Sequence, residues 1–372
     1  MKRVPMEVDA TPARTATPPR GTPATDNGET RDTDLTIGIL RILGGVLLAL
    51  GGGVLLVFLI GRQTGFSDLE TVLREGDWRW LAVCAGGQIA VFTGYSGVFR
   101  TALSFEGGPH VPARLSLRVV LTSFAMTQLV AAGGAAGLAV TYWALRKLGL
   151  ARRAAVVRLL GINTIVYLVF AALAFAAALL AFLTAAAPVG ATLPWIALLP
   201  VFAFLAWWFT EPQRVQRWAT PSGGALRRAL STGVGAAWFA RRVTSTHEGR
   251  PMLGWALLYW VADVGSLWGA LHAFGDSPSL AALALVYVIG YLAAAVPIPF
   301  IATGGIDAAL TFALQMVGVP LDLALVSVVA HRVFAFWIPM MPGIVLGFLL
   351  GRTGAALEAA RDEHEREHAV AG

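Results

Sequence analysis

The longest stretch of this chain without a charged residue runs from residue 159 to residue 210, a total of 52 residues. As one continuous α-helix this stretch would be about 78 Å long, because each residue adds about 1.5 Å. The hydrocarbon core of a bilayer is only about 30 Å thick, and about 20 apolar residues cross it. The stretch therefore predicts two membrane-spanning helices, which we expect to be joined at residues 188–194.

The composition of the whole chain agrees with a membrane protein. Hydrophobic residues make up 56% of the 372 residues and charged residues only 13%, and the mean hydropathy is +0.68. Soluble domains carry roughly 25% charged residues, and a globule of this size cannot bury so much apolar surface. This excludes cytosolic enzymes, nucleic-acid-binding proteins and disulfide scaffolds, the last also because Cys84 is the single cysteine. We expect an all-α polytopic membrane protein.

Further apolar stretches predict the remaining membrane segments. Residues 1–36 are rich in Thr, Pro and charge, which predicts a disordered tail. Residues 353–372 are polar and predict a second tail, with a short helix at 358–368. A single transmembrane domain at 37–352 lies between the tails. Besides 159–210, its apolar stretches are 42–61, 80–99, 119–145, 252–274, 277–306 and 323–351.

Two of the apolar stretches contain breaks. Residues 131–137 read Ala-Ala-Gly-Gly-Ala-Ala-Gly, and the later stretch is broken by Pro297 and Pro299 and by two further glycines. Proline and glycine end helices, and irregular backbone at membrane depth is tolerated where it is buried in protein or lines a wet cavity. For the first break, close packing of an unbroken helix through a Gly-x-x-x-Gly pattern is the alternative. The candidate binding glycines at the two breaks are Gly133, Gly134, Gly304 and Gly305.

The basic residues predict the orientation of the chain. Five Lys and Arg lie in the loop 146–158 and seven Arg in the loop 211–251, and such loops are cytoplasmic. Both loops are cytoplasmic if 119–145 is a hairpin that enters from the cytoplasm, and 23 of the 28 Lys and Arg then lie on that side. The same trace makes 280–317 a hairpin that enters from outside. Both termini are then cytoplasmic.

The predicted order of segments repeats itself. Each half reads span, span, hairpin, span, which gives six full spans plus two re-entrant helical hairpins. Three crossings in each half make the second half, about 193–352, inverted relative to the first, about 37–185. Interrupted segments at matching positions of two inverted halves indicate the binding site of a transporter.

Few charged residues fall inside the predicted membrane segments, and such charges are costly and usually functional. Asp263 and Arg332 lie near the middle of their stretches, and Asp307 follows the second break. Arg332 can hold a phosphate bidentately. Alternatively, Arg332 is neutralised by Asp263 or Asp307, and Asp307 is an ordinary first-turn acid. His331 is either a proton carrier or a packed polar residue. Polar residues expected to bond between helices are Gln88, Gln128 and Asn163.

Other short motifs are weaker. Residues 364–368 read His-Glu-Arg-Glu-His, the spacing of a zinc protease, but the segment is highly charged and no third ligand follows. Residues 94–97 read Gly-Tyr-Ser-Gly, as in rhomboid proteases, but no histidine is placed to act as base. We expect no metal and no cofactor. Residues 223–242 are amphipathic and predict either an interfacial helix that contacts anionic headgroups or a plain charged loop.

The last part of the chain resembles the flippase-like transmembrane domain of lysylphosphatidylglycerol synthases and their stand-alone relatives. The likeness covers about residues 40–350, and its specific part is the final 50 or so. The sequence departs from the family pattern around Ile301-Ala302, where the family has Pro-Gly-Gly, and at His331, where it has an aromatic residue. The matching motifs are Pro297 with Pro299, Gly304-Gly305-Ile306-Asp307, Gly318-Val319, His331-Arg332, and Trp337-Ile338-Pro339 with Gly343.

This resemblance implies movement of a lipid across the cytoplasmic membrane, with an anionic or lipid-linked headgroup as cargo. The lipid is a phospholipid or a polyprenyl-linked lipid, and nucleic acid is not a partner. The expected binding residues are Arg332, Asp307, Asp263 and His331 with the four glycines of the breaks. A homo-oligomer and a separate partner synthase are both compatible with the pattern. The alternatives are an intramembrane lipid-modifying enzyme and a non-catalytic partner of a lipid synthase.

Overall fold

The computed structural model describes residues 76–129, 135–209, 211, 225–275, 278–292 and 301–371, all of which belong to one unit, Ile42–Gly372. Several predictions fall outside these residues. They are the tail 1–36, the span 42–61, the glycines Gly133 and Gly134, and the prolines Pro297 and Pro299.

The described residues form α-helices, and no strand occurs within the ranges just given. A short π-helical segment, Val333–Trp337, lies between the helices Leu321–Arg332 and Ile338–Phe348. The helices are α1 (Trp78–Ser104), α2 (Ala113–Leu129), α3 (Ala135–Lys147), α4 (Arg152–Leu183), α5 (Val189–Phe209), α6 (Ala225–Ser245), α7 (Arg250–Phe274), α8 (Leu280–Leu292), α9 (Ile301–Met316), α10 (Leu321–Arg332), α11 (Ile338–Phe348) and α12 (Leu350–Ala371).

Three helical segments are long and apolar enough to cross a membrane. They are α1, α4 and the segment Leu321–Phe348, which comprises α10, the π-helical segment and α11. Shorter apolar helices occur at Val189–Leu205 and Leu280–Tyr291. The predicted stretch 252–274 lies within α7. The chain is therefore a multi-pass membrane protein, as the apolar stretches predict.

The first predicted break separates two helices that pack against each other. The Ser123 hydroxyl of α2 lies 3.0 Å from the Thr141 hydroxyl of α3. A Cβ atom at Gly137 would lie only 1.9 Å from Oγ1 of Thr127. Because residues 123 and 127 face residues 141 and 137, α2 and α3 are antiparallel. The chain therefore reverses direction between α2 and α3, and Gly137 provides close packing between the two arms.

The helices α8 and α9 also pack against each other, through Gly290 and Leu310. The start of α9 corrects one prediction. Gly304 and Gly305 do not break the helix, because α9 begins at Ile301 and includes both glycines. A glycine within a helix costs only about 1 kcal/mol relative to alanine, so α9 can include both.

The connection between α4 and α5 also differs from the prediction. The first helix ends at Leu183 and the next begins at Val189, so Pro194 lies inside α5 and not in a connection at 188–194. The chain turns at Ala185, whose φ is 51°. Proline is tolerated near the start of a helix and within membrane helices, where neighbouring groups satisfy the freed carbonyl.

The helices α1 and α7 form the most extensive contact between elements. Glycines bring their backbones together. A Cβ atom at Gly87 would lie 2.8 Å from Cβ of Ser266, and one at Gly94 would lie 2.8 Å from the Tyr259 nitrogen. From the other side, a Cβ atom at Gly269 would lie 3.0 Å from the Cys84 nitrogen. Small residues permit this close approach of membrane helices.

The α-helix changes to a π-helix directly after Arg332. The N–H of Ile338 donates to the carbonyl of Val333, five residues earlier. Pro339 explains the change, because proline has no N–H for the carbonyl four residues earlier and its ring clashes with that carbonyl. Such π-helical turns are frequent at functional sites. The change in pitch therefore marks the vicinity of Arg332 as a candidate site.

Basic loops and helix ends meet at one end of the helices. Arg158 of α4 donates to the carbonyls of Ala102 and Phe105 at the C-terminal end of α1. Arg242 of α6 pairs with Glu106 at 2.9 Å. Of the predicted amphipathic segment, residues 225–242 lie within the helix α6, which packs on α4.

The C-terminal helix α12 is longer than the predicted helix 358–368 and is tied to the α2–α3 hairpin. Glu358 of α12 accepts a hydrogen bond from Nζ of Lys147 at 2.7 Å. Both side chains are about 40% exposed, so this pair contributes at most about 1 kcal/mol to stability.

Candidate functional site

A buried carboxylate lies at the centre of the helices. Asp263 is 13 residues after the start of α7 and 11 before its end, or about 17–20 Å from each. Its Oδ1 accepts a hydrogen bond from Nε2 of Gln88 at 2.6 Å. Its Oδ2 accepts hydrogen bonds from the hydroxyls of Tyr287 and of Tyr291, the latter at 3.1 Å. Three donors from two other helices, α1 and α8, therefore fix this carboxylate.

His331 of α10 completes the surroundings of Asp263. Its Nε2 lies 3.6 Å from Oδ1 of Asp263, and its Nδ1 lies 3.2 Å from the hydroxyl oxygen of Ser266. The Ser266 hydroxyl donates its one proton to the carbonyl of Cys84 at 2.9 Å. The Ser266 hydroxyl therefore links α1 to His331 of α10.

His331 and Asp263 thus face each other between α10 and α7, with Nε2 of the imidazole directed at the carboxylate. The imidazole is the fourth polar side chain placed around this acid, after Gln88 and the two tyrosines.

The side-chain contacts run from Ser266 to His331 and from His331 to Asp263, as in a serine-hydrolase triad. The geometry does not favour nucleophilic chemistry. The Ser266 side chain is fully buried, and its hydroxyl points at a backbone carbonyl. A nucleophile must donate its proton to the base and reach its substrate. The three residues form a structural hydrogen-bond network, which also includes the buried thiol of Cys84, 3.2 Å from the Ser266 oxygen.

The ion pair of Arg332 and Asp307 lies beside the surroundings of Asp263. Nε of Arg332 is 3.3 Å from Oδ2 of Asp307 on α9. The Arg332 side chain is 19% exposed and the Asp307 side chain 11%. The guanidinium also lies over the ring of Phe336, one turn later, at 4.6 Å from the ring centre. A cation over an aromatic face is stabilised by the ring, most strongly away from water.

The two buried aspartates differ in how they are held. Asp263 interacts with four side chains from three other helices. Among the residues that the structure describes, Arg332 is the one group that pairs with the Asp307 carboxylate. The Thr311 hydroxyl donates to the backbone carbonyl of Asp307 and not to its carboxylate. Asp263 is therefore fixed, whereas Asp307 depends on a single partner.

The structure brings four of the predicted site residues together. Consecutive residues on α10, His331 and Arg332, pair with Asp263 and Asp307 respectively. Of the two acids proposed to neutralise Arg332, the partner is thus Asp307. The alternative role of Asp307 as a first-turn acid is wrong, because Asp307 is the seventh residue of α9. Gly305, half-buried in the preceding turn, completes the part of this motif that is described.

Sequence reasoning missed the two tyrosines of α8. Tyr287 and Tyr291 are four residues apart, so they lie on one face of the helix, and their rings stack at 4.6 Å. This spacing in an apolar helix was an available signal. Gln88 bonds between helices as predicted, whereas Asn163 donates to the carbonyl of Leu159 in its own helix. Gln128 is half-buried on α2.

The weaker motifs show other contacts. Ser96 of the Gly-Tyr-Ser-Gly segment donates to the hydroxyl of Ser116 at 2.9 Å. Nδ1 of His368 lies 3.2 Å from the carbonyl of His364. Within the described part of the chain, no group of three or more His, Cys, Asp and Glu side chains is placed to hold a metal ion.

An open groove of about 370 Å³ lies between the α2–α3 hairpin and the start of α12. Its volume is within the range of small-molecule sites, roughly 300–1,000 Å³. The exposed side chain of Arg352 follows the groove residues directly in sequence. All residues that line the groove are apolar or glycine: Met126, Ala136, Ala139, Val140, Trp143, Leu350 and Gly351.

These features define a multi-pass α-helical membrane protein with paired charges buried between its helices. The family model described as lysylphosphatidylglycerol synthase TM region matches residues 42–343. The chain belongs to this family, as the C-terminal motifs predict. The family indicates a function related to membrane lipids. A search of curated proteins finds no significant match.

Proposed function

We propose that this protein is a lipid flippase, which moves an anionic or lipid-linked headgroup across the cytoplasmic membrane. The observation that carries the proposal is the Arg332–Asp307 pair. Arg332 lies 11 residues into the apolar segment Leu321–Phe348, or about 17 Å from its start. A permanent positive charge at that depth is energetically costly, and charges in such positions are usually functional.

The chemistry of Arg332 suits an anionic headgroup. The guanidinium cannot lose its proton, and its planar fork matches the oxygens of a phosphate. Asp307 contacts it through Nε, and the Arg332 side chain is partly exposed. A phosphate that replaces the Asp307 carboxylate would conserve the charge balance of Arg332. Substrate binding is therefore an exchange of one anion for another.

The contacts between helices support the proposed inverted repeat. The second spans of the two halves, α1 and α7, pack against each other. The first hairpin arm of one half, α2, packs on α11, which belongs to the last span of the other half. In the same way α8 packs on α4. This crossed pattern is expected of two halves related by a two-fold axis.

The packing of the hairpin arms supports re-entry of both hairpins. The arms α2 and α3 run antiparallel and contact each other through Ser123 and Thr141, and α8 packs on α9. In the proposed topology six full spans accompany the two hairpins, and the basic loops and both termini are cytoplasmic.

The apolar groove beside the first hairpin suits one acyl chain. Its lining is apolar, and the positive charge of Arg352 adjoins it in sequence. A lipid whose chain lies in this groove would keep its headgroup near the cytoplasmic surface. We propose that this groove is where a lipid docks before its headgroup reaches Arg332.

Lipid movement in proteoliposomes tests the proposed function. The probes are phosphatidylglycerol with an acyl-linked fluorophore and a labelled polyprenyl phosphate, and externally added dithionite reports which leaflet holds the label. We expect wild type to move at least one probe. Arg332→Ala should slow the movement about 10- to 100-fold, since a hydrogen bond to a charged group contributes about 1.5–3 kcal/mol.

Two further variants separate function from folding. The pair Arg332→Gln with Asp307→Asn is neutral and leaves no charge unpaired, so it should fold but not move lipid. Arg79→Gln removes an exposed arginine outside the site and should match wild type. Movement by the neutral pair at the wild-type rate would overturn the role of Arg332. Failure of wild type to move either probe would overturn the proposed function.

A further inference from the structure

The two buried aspartates differ in a way that bears on the energy source of the proposed transport, on which this inference rests. The Asp263 carboxylate has three hydrogen-bond donors and His331 around it, and none of these contacts involves Arg332. Asp307 has the Arg332 guanidinium as its pairing group among the described residues. Loss of the Arg332 contact therefore leaves the Asp307 carboxylate without a pairing group, while the Asp263 carboxylate keeps its donors.

A headgroup phosphate at Arg332 leaves Asp307 without its countercharge. The Asp307 residue as a whole is 8% exposed, so water cannot solvate an ionised carboxylate there. An unpaired buried charge is strongly unfavourable, and such a group becomes neutral instead. A carboxylate becomes neutral by taking up one proton. We propose that headgroup binding at Arg332 is coupled to protonation of Asp307, so that the protein carries one proton with each singly charged headgroup.

The groups around Asp307 are compatible with this assignment. From α10 it faces Arg332 and, one residue earlier, His331, which is engaged with Asp263 of α7. The ionisable groups of α8, the second helix that packs on α9, are Tyr287 and Tyr291, and both hydroxyls donate to Asp263. These three groups are engaged with Asp263, so the Asp307 carboxylate is the group beside Arg332 that can accept the proton.

The charge balance of the step follows directly. Without lipid, Arg332 is paired with ionised Asp307, and the two charges cancel. With lipid, Arg332 is paired with a singly charged phosphate and Asp307 holds a proton, so the charges again cancel. The loaded and empty sites have equal charge, and one anion and one proton cross together. The transport is therefore electroneutral.

Transport against a pH gradient gives the first test. In proteoliposomes with labelled phosphatidylglycerol, a gradient of one pH unit should shift the steady-state ratio of label between leaflets about tenfold, because one proton accompanies each lipid. An imposed potassium diffusion potential should not shift the ratio. A dye in the lumen should report proton movement in the same direction as the lipid.

Two substitutions of the same kind sharpen the test. Asp307→Asn cannot take up a proton, so the ratio should stay near one at any pH gradient. Asp322→Asn removes a carboxylate in the first turn of α10, ten residues from Arg332, and should keep the wild-type response. Lipid movement that ignores the gradient in wild type would overturn the coupling and leave the proposed function intact. Absence of lipid movement in all conditions would overturn both.

Lipid binding in detergent keeps the inference testable if Asp307→Asn moves no lipid. Uptake of one proton on binding makes the affinity of wild type for phosphatidylglycerol rise up to tenfold for each pH unit by which the pH falls. The affinity of Asp307→Asn should not change with pH. An equal slope in both proteins would assign the proton to another group and overturn the inference.

Discussion

Gly86 and Gly87 are neighbours on α1 that differ in their surroundings. A Cβ atom at Gly86 would meet nothing within 4 Å, whereas one at Gly87 would lie 2.8 Å from Cβ of Ser266 and 2.9 Å from the carbonyl oxygen of Ala262. The substitution to alanine at these two positions therefore compares open space with the closest part of the α1–α7 contact. The two variants share the same change in helix propensity.

The expected difference follows from the distances. Carbon atoms in contact prefer about 3.5–4.0 Å, so at Gly87 the helices must separate by about 0.7 Å or more. The atoms in the way belong to backbone and to Cβ, which cannot rotate aside. Overpacking of this kind costs about 1–3 kcal/mol. Alanine in place of glycine in a helix gains about 1 kcal/mol at both positions, so this gain cancels in the comparison.

Unfolding in mixed micelles measures this difference. We expect Gly86→Ala to be as stable as wild type or up to about 1 kcal/mol more stable. Gly87→Ala should be about 1–3 kcal/mol less stable than Gly86→Ala when SDS unfolding is followed by circular dichroism. Equal stability of the two variants would show that α1 and α7 are not in backbone contact and would refute the reasoning.

Two other predictions concern the groove and the topology. Gly351→Phe should fill the groove, since a Cβ atom at Gly351 meets nothing within 4 Å, and it should slow lipid movement in proteoliposomes several-fold. The control Gly254→Phe, at an equally open glycine on α7, should not slow lipid movement. A cysteine at Ala151, an exposed residue in the loop 146–158, should react with membrane-impermeant maleimide only from the cytoplasmic side when Cys84 is replaced by alanine. Reaction from outside would overturn the proposed re-entry of α2 and α3.

The positions of the helices could be predicted largely from charge and apolar length. The apolar stretches 80–99 and 252–274 lie within α1 and α7, and the helices on the two sides of the first predicted break are antiparallel. The prediction was wrong where proline and glycine were assumed to end helices. Pro194 and Gly304 both lie within helices. Neighbouring groups in a membrane helix satisfy the carbonyl that proline frees, and a single glycine costs only about 1 kcal/mol relative to alanine.

The candidate site was predictable in its members but not in its pairings. Intramembrane charge alone identified Asp263, Asp307 and Arg332, because charges are so rare in these segments. Which acid pairs with Arg332 depends on how α7, α9 and α10 pack, and no pattern in the sequence determines that. The hydrogen bonds of Tyr287 to Asp263 depend equally on tertiary packing.

The glycine contact between α1 and α7 has a mechanical consequence. Helices that touch through backbone have no side-chain layer that can repack, so they cannot slide past each other without a clash at Gly87 or Gly94. The two helices therefore act as one rigid unit. In the proposed transport, any rocking between inward-open and outward-open forms must then take place in the helices around this unit. Asp263 lies on this rigid pair of helices, whereas Arg332 and Asp307 lie on α10 and α9.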